Sequence, residues 1–160
     1  MKLSDFVITD AAIPELQATD RNGVIREMVN SIASAIGMTE EEAVAVSKAV
    51  IQRENQGSTG IGKGIAVPHI KHAAVKSIVG AIGGSKSGID FSSLDKAPVY
   101  SVLLLISPSN KPDQHLEAME SLFSHLQRDM FRKFLRQSET VEAIMDLLQE
   151  ADEAGQQSGL

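Results

Sequence analysis

The 160-residue chain contains no cysteine and no tryptophan. The absence of thiols excludes disulfide bonds, thiolate nucleophiles and cysteine metal sites, and it suits a reducing compartment. Long hydrophobic runs are also missing, since the longest, at residues 102–106, is too short to span a bilayer. The first residues include acidic side chains and lack the apolar stretch of a signal peptide. We therefore expect a cytoplasmic protein without direct membrane insertion.

Acidic residues outnumber basic residues, and the formal net charge is −6. Nucleic-acid-binding proteins usually present a basic stripe or face, and the sequence shows none, so a nucleic-acid partner is not expected. One basic group stands out near a predicted helix end: Arg128, Arg132, Lys133 and Arg136. We interpret this group as a solvated face, with a docking surface for an acidic partner as the alternative.

What the chain does contain is an alternation of helical and strand-like patterns. Helical spacing occurs at residues 24–36, 43–51, 116–126 and 141–148, with Asp20 and Thr39 as predicted N-caps and Gly37 as the end of the first helix. Short apolar runs at residues 6–8, 65–67, 77–82 and 99–106 predict strands, and a turn-rich stretch with Gly83-Gly84 separates the last two. The pattern predicts an α/β fold in which a mixed β-sheet is sandwiched between helices on both faces. We expect one domain at residues 1–150 and an unstructured, flexible C-terminal tail at residues 151–160, which is rich in Gly, Gln and Ser.

Four glycines occur within the eight residues 57–64, and the segment matches the G-x-x-x-x-G-K core of a phosphate-binding P-loop. That motif needs Ser or Thr next, where this chain has Gly64, and it needs a strand before it, where this chain has a predicted helix. Both departures argue against nucleotide binding. The density of glycines instead predicts that another group approaches this backbone closely.

The chain has four histidines: His69, His72, His115 and His125. The spacing of His69 and His72 resembles that of metal ligands, but no cysteine or nearby carboxylate completes such a site. His72 lies in a polar segment, and His125 lies among polar residues on a predicted exposed arc. We expect both to be solvated and without a functional role.

His69 and His115 have a different setting. His69 directly follows Pro68, whose ring stiffens the backbone that presents the imidazole. His115 lies in the first turn of a helix opened by Pro112, where free amides and the helix dipole favour negative charge. One imidazole can attack phosphorus while the second neutralises the transferred oxygens. The pair therefore suits phosphoryl transfer, although each histidine taken alone is more often structural.

The run RENQGSTGIGKGIAVPH at residues 53–69 resembles the signature of the enzyme IIA domain of the phosphoenolpyruvate-dependent sugar phosphotransferase system. The similarity is to the fructose/mannitol type, which includes nitrogen-regulatory members, and it extends over residues 3–150. Further agreement occurs at residues 88–91, at residues 95–99 and at His115-Leu116. Lys63 stands where that family often has asparagine, and Ile70 where it has a small residue.

The resemblance implies a phosphotransferase with a phosphohistidine intermediate and without a cofactor or metal. His69 would accept the phosphoryl group, and His115 and Arg53 would assist it, since a guanidinium suits phosphate oxygens. Arg53 alone would otherwise be interpreted as forming a surface ion pair with Glu54 or another acidic neighbour. We expect a site rim at Ser58, Thr59, Gly60 and Lys63, with Lys71 adding positive charge and Ile61 and Ile70 forming an apolar contact edge.

The resemblance leaves two partner sets open. The chain could take phosphate from the histidine-containing phosphocarrier protein and pass it to an enzyme IIB of a sugar uptake system. Alternatively, its phosphorylation state could control binding to regulatory target proteins. A binding module without phosphotransfer is the weakest alternative, because both histidines and the arginine are present.

Overall fold

The computed structural model describes the backbone of residues 1–158 and the side chains of residues 1–155. Two short 3-10 turns, Leu3–Asp5 and Thr9–Ala11, precede helices α1 (Arg21–Ile36) and α2 (Glu40–Gln56). The Asp20 side chain accepts the Gly23 N–H at 2.6 Å, and Gly37 ends α1 with a left-handed φ of 79°. Thr39 and Glu42 form a capping box at the start of α2. The predicted helix boundaries are confirmed here because local capping chemistry determines them.

The sheet has five strands: β1 (Gly60–Gly62), β2 (Ile65–Ala66), β3 (His69–Lys71), β4 (Val79–Ile89) and β5 (Val99–Ser107). Strand β5 is central. It pairs in parallel with β2 and β3 on one side and antiparallel with β4 on the other, while β1 pairs antiparallel with β2. The sheet is therefore mixed, as predicted.

Three of the sequence predictions about strands and turns need correction. The run expected to precede His69 as one strand is broken at Val67-Pro68, and His69 itself begins β3. Proline has no N–H for the ladder, but the Pro68 carbonyl still accepts the Leu105 N–H at 3.0 Å. The stretch around Gly83-Gly84, expected to be a turn, lies inside the long strand β4. The predicted strand at residues 6–8 is only an isolated bridge between Val7 and Gly80.

Three helices follow β5: α3 (Pro112–Leu126), α4 (Asp129–Gln137) and α5 (Val141–Ser158). Helix α4 contains most of the basic group that we interpreted as a solvated face. Two of these residues have structural contacts instead, since Arg132 Nη1 donates to the Leu126 carbonyl at 2.6 Å and Arg136 lies 3.5 Å from the Tyr100 ring centroid.

The predicted unstructured tail is wrong for its first part. Helix α5 continues through residues 151–158, and the buried Asp152 carboxylate accepts the N–H groups of Leu3 at 2.7 Å and Ser4 at 3.0 Å. Composition indicated disorder because this part of the helix is polar, but one face of it caps the N-terminal turn. Residues 159–160 of the predicted tail lie outside the described residues.

The central strand is covered on both faces. Along β5, Val102, Leu104 and Ile106 pack into a cluster with α1 and α2, whereas Leu103 and Leu105 pack into a second cluster with α3, α4 and α5. This alternation, with a period of two, confirms the predicted sandwich of helices around the sheet. Among residues 1–158, no helix is long and apolar enough to cross a membrane.

Candidate phosphotransfer site

The register of β3 against β5 determines which side chains share a face. His69 pairs with Leu105, and Lys71 pairs with Ser107. Leu105 belongs to the cluster on the α3 side, so His69, Lys71 and Ser107 also face α3. Ile70 alternates to the opposite face and packs against the α1 and α2 cluster. The prediction that Ile70 belongs to the site edge is therefore wrong.

The half-buried His69 side chain is oriented by its own backbone. Its Nδ1 lies 2.8 Å from the Val67 carbonyl oxygen. A carbonyl can only accept a hydrogen bond, so Nδ1 of the neutral ring has the hydrogen and Nε2 has the free electron pair. The interruption at Val67-Pro68 thus positions the imidazole with Nε2 as its nucleophilic nitrogen.

His115 enters the same region from the first turn of α3. Its ring centroid is 5.5 Å from that of His69, with the two planes tilted by 43°. The side chain is buried, and its Nδ1 lies 2.7 Å from Ser107 Oγ. Burial, and then electrostatic interactions with His69 and Lys71, lower the pKa of His115 from 6.5 to about 4. His115 is therefore neutral at physiological pH.

Ser107 contacts His115 in the candidate site and was not among the residues predicted from the sequence. The predicted strand ended at residue 106, one residue before Ser107. The available signal was a serine that closes an apolar strand directly before Pro108. Its meaning depends on α3, which folds back over the end of β5.

Arg53 lies in the last turn of α2, where its Nη1 donates to the Gly57 carbonyl at 2.9 Å. Neither of the two ion pairs among the described residues involves Arg53. The alternative partner, Glu54, is buried and accepts hydrogen bonds from the Thr59 amide and hydroxyl. The structure thus attaches Arg53 to the glycine loop, and no described hydrogen bond joins it to either histidine.

The predicted rim divides into two parts. Lys63 is exposed, and Ser58 is half-buried with its hydroxyl bonded to the Phe91 carbonyl and the Gly60 amide. Thr59 and Gly60 are both buried, and their contribution to the site rim stays a prediction. Thr59 is held in its buried position by hydrogen bonds to Glu54.

The group that approaches the glycine loop is another segment of the same chain. A Cβ on Gly60 would lie 2.2 Å from Ser93 Oγ and 3.0 Å from Ser93 Cα, so only glycine fits there. Asp95 then accepts the Lys63 amide at 2.9 Å and the Ala97 amide at 3.0 Å. These amides lower the pKa of the Asp95 carboxyl. Asp95 therefore holds the loop at residues 92–96 against residues 57–64.

The other two histidines have different outcomes. His72 Nδ1 accepts the Ala74 amide at 3.0 Å in a partly exposed turn. His125 was predicted to be exposed because its sequence neighbours are polar, and this prediction is wrong. The residue is buried, and its ring packs on Phe131 with centroids 5.6 Å apart. No group of three or more His, Asp or Glu side chains that could hold a metal ion occurs among the described residues.

Comparison with known proteins identifies the family. Residues 7–151 match the family described as "Phosphoenolpyruvate-dependent sugar phosphotransferase system, EIIA 2". The chain belongs to this family. This match confirms the resemblance found in the sequence. A helix precedes the glycine loop and a strand follows it, which differs from the arrangement of a P-loop.

The chain is similar both to a component of a sugar phosphotransferase system and to nitrogen regulatory proteins. The chain is 34% identical over 95% of its length to the PTS system fructose-specific EIIABC component of Bacillus subtilis, but it spans only 24% of that protein. It is 32% identical over 92% of its length to a nitrogen regulatory protein of Bradyrhizobium diazoefficiens, of which it spans 95%. The crystal structure of nitrogen regulatory protein IIA-Ntr from Neisseria meningitidis has the same fold, with a TM-score of 0.82 at 23% identity over 91% of this chain and 98% of that one.

Proposed function

We propose that the chain is a phosphohistidine carrier that accepts a phosphoryl group on Nε2 of His69. The donor is the histidine-containing phosphocarrier protein, and the acceptor is an enzyme IIB of a fructose/mannitol-type sugar uptake system. The observation that best supports this function is the pair of imidazoles: a half-buried His69 with Nδ1 bonded at 2.8 Å to Val67, next to a buried, neutral His115.

The chemistry follows from the free electron pair on Nε2. This pair forms a bond to phosphorus while the bond between phosphorus and the donor's histidine nitrogen breaks, and the donor nitrogen keeps that electron pair. In-line transfer requires the partner's residue to reach His69 directly, which suits a side chain that is only half-buried. Passing the group to an acceptor reverses the same geometry.

The neighbouring residues stabilise the transferred oxygens. His115 lies beside the reacting ring, and a negatively charged phosphoryl group on His69 raises the pKa of His115. Lys71 lies on the same face of the sheet and adds positive charge. Arg53 donates one N–H to the Gly57 carbonyl, and the other N–H groups of its planar guanidinium are the proposed donors to the phosphoryl oxygens.

The test uses the purified chain with phosphoenolpyruvate, enzyme I and the phosphocarrier protein. We expect one acid-labile phosphoryl group per chain, and none in His69→Ala. His72→Ala is the matched control, since it removes a histidine from the same segment and should leave labelling intact. Full labelling of His69→Ala would contradict the assignment.

A second candidate function is regulatory, with the phosphorylation state of His69 controlling binding to target proteins. The 32% identity to the Bradyrhizobium nitrogen regulatory protein, almost equal to the 34% identity to the fructose-specific component, supports it. Transfer from the phosphorylated chain to a purified fructose-type enzyme IIB domain separates the two functions. Rapid transfer supports sugar uptake, whereas stable phosphorylation without transfer supports regulation.

A further inference from the structure

Ser107 makes a contact with His115 that the family resemblance does not explain. It is the last residue of β5, its side chain is fully buried with 0% exposure, and its hydroxyl lies 2.7 Å from His115 Nδ1. The two residues are eight positions apart, and the loop with Pro108 and the start of α3 at Pro112 lie between them. The contact therefore joins the end of the central strand to the first turn of the helix.

The direction of this hydrogen bond decides which tautomer His115 adopts. If the imidazole Nδ1–H donated to Ser107 Oγ, the serine hydrogen would be buried without an acceptor, since the described residues provide Oγ with no other hydrogen-bond partner. A buried donor without a partner costs about 1–3 kcal/mol. If the hydroxyl donates instead, its hydrogen is satisfied and the ring nitrogen accepts with its lone pair.

We propose that Ser107 is a positioning residue whose hydroxyl donates to Nδ1 of His115 and holds the ring with its hydrogen on Nε2. This tautomer presents an N–H donor from a neutral ring, whereas the other would present a lone pair that repels phosphoryl oxygens. The surroundings favour the neutral ring, because burial, and then electrostatic interactions with His69 and Lys71 on β3, lower the pKa of His115 to about 4. The catalytic part of the inference rests on the proposed function; the tautomer does not.

The first measurement is ¹⁵N NMR of the imidazoles in the unphosphorylated full chain at pH 7. We expect His115 Nδ1 to show the shift of an unprotonated nitrogen and Nε2 that of a protonated one. A protonated Nδ1 in the wild-type chain would overturn the proposal without the need for any variant.

The second measurement uses Ser107→Thr and Ser107→Val, which have side chains of nearly equal volume with and without a hydroxyl. Ser107→Thr should keep the wild-type ¹⁵N shifts of His115 and the wild-type transfer rate. Ser107→Val should mix the tautomers and lower the rate constant for transfer from the phosphorylated phosphocarrier protein about tenfold. KM for that protein should stay unchanged, because Ser107 is buried and cannot touch it.

Equal ¹⁵N shifts and equal rate constants in the two variants would overturn the positioning role. A merely structural role would lower the melting temperature of Ser107→Val and leave both readouts of the folded protein unchanged. If the wild-type chain accepted no phosphoryl group at all, the proposed function would fail, while the NMR result would still decide the tautomer.

Discussion

The two ends of α3 each bury a histidine, and they differ in what surrounds the ring. At the N-terminal end, His115 contacts the Ser107 hydroxyl and lies 5.5 Å from the His69 ring. At the C-terminal end, His125 packs on Phe131, and its Nδ1 has no hydrogen-bond partner within the described part of the chain. Burial is the main cause that lowers the pKa of both histidines.

The comparison shows that burial and a lowered pKa do not by themselves mark a reactive site. Both rings have these properties, and desolvation is their main cause. What distinguishes His115 is the convergence of a second, half-buried imidazole, a buried hydroxyl and the charge of Lys71 on one face of the sheet. Function is better inferred from several groups that share one geometry than from any single perturbed residue.

The largest difference between the two ends of α3 should be in the rate of phosphoryl transfer. His115→Ala should lower the rate of phosphoryl transfer to His69 by about 10²–10³, because one preorganised donor is lost while the nucleophile remains. His125→Ala, which removes the other buried histidine of α3, should change the rate by less than about threefold. Rapid-quench kinetics with the phosphorylated phosphocarrier protein measures both. Equal rates in the two variants would assign His115 the same structural role as His125.

The next difference should appear in stability. His115→Leu leaves the buried Ser107 hydroxyl without its partner and should lower the free energy of unfolding by about 1–3 kcal/mol. His125→Leu removes a buried nitrogen that has no hydrogen-bond partner, and should be neutral or stabilising by up to about 1 kcal/mol. Denaturant unfolding at pH 7.5 measures both changes, and losses of equal size would contradict the comparison.

The same variants test how the free energy of unfolding depends on pH. The pKa of His115 is about 4 in the folded chain, against 6.5 when unperturbed, so between these values the unfolded state binds a proton that the folded state does not. The free energy of unfolding therefore falls as the pH is lowered through this window. His115→Leu should reduce the slope without abolishing it, because the lowered pKa of His125 acts in the same direction.

The smallest difference between the two ends of α3 should be in the rate of association with the phosphocarrier protein. Lys71→Glu reverses a charge beside His115, whereas Arg128→Glu reverses an exposed charge beside His125. Lys71→Glu should slow association with the negatively charged, phosphorylated phosphocarrier protein a few-fold at low salt, and added salt should reduce this effect. Arg128→Glu should have no such effect. If only Arg128→Glu lowered the association rate in a salt-dependent way, the docking surface would lie at the C-terminal end of α3, which would contradict this prediction.

The predictable part of this site was local. The proline before His69, the helix start before His115 and the family signature at residues 53–69 are all visible in neighbouring residues. The buried state of Thr59 and Gly60 was not predictable in this way, because it depends on Glu54 in α2 and on Ser93 in a distant loop. The burial of His125 was missed for a similar reason: its sequence neighbours are polar, but Phe131 of the next helix covers the ring.

The sequence by itself determined the elements whose causes lie within a few residues: the capped helices α1 and α2, the buried strand β5 and the loop that opens α3 at Pro112. Helical spacing, capping boxes and apolar runs are properties of near neighbours, so they can be interpreted without a fold. Only the tertiary structure decided that Lys71 lies opposite Ser107, that Ile70 faces away from His69, and that Ser107 meets His115. These contacts depend on strand register and on how α3 packs on the sheet, and a shift of one residue in that register would move each side chain to the other face.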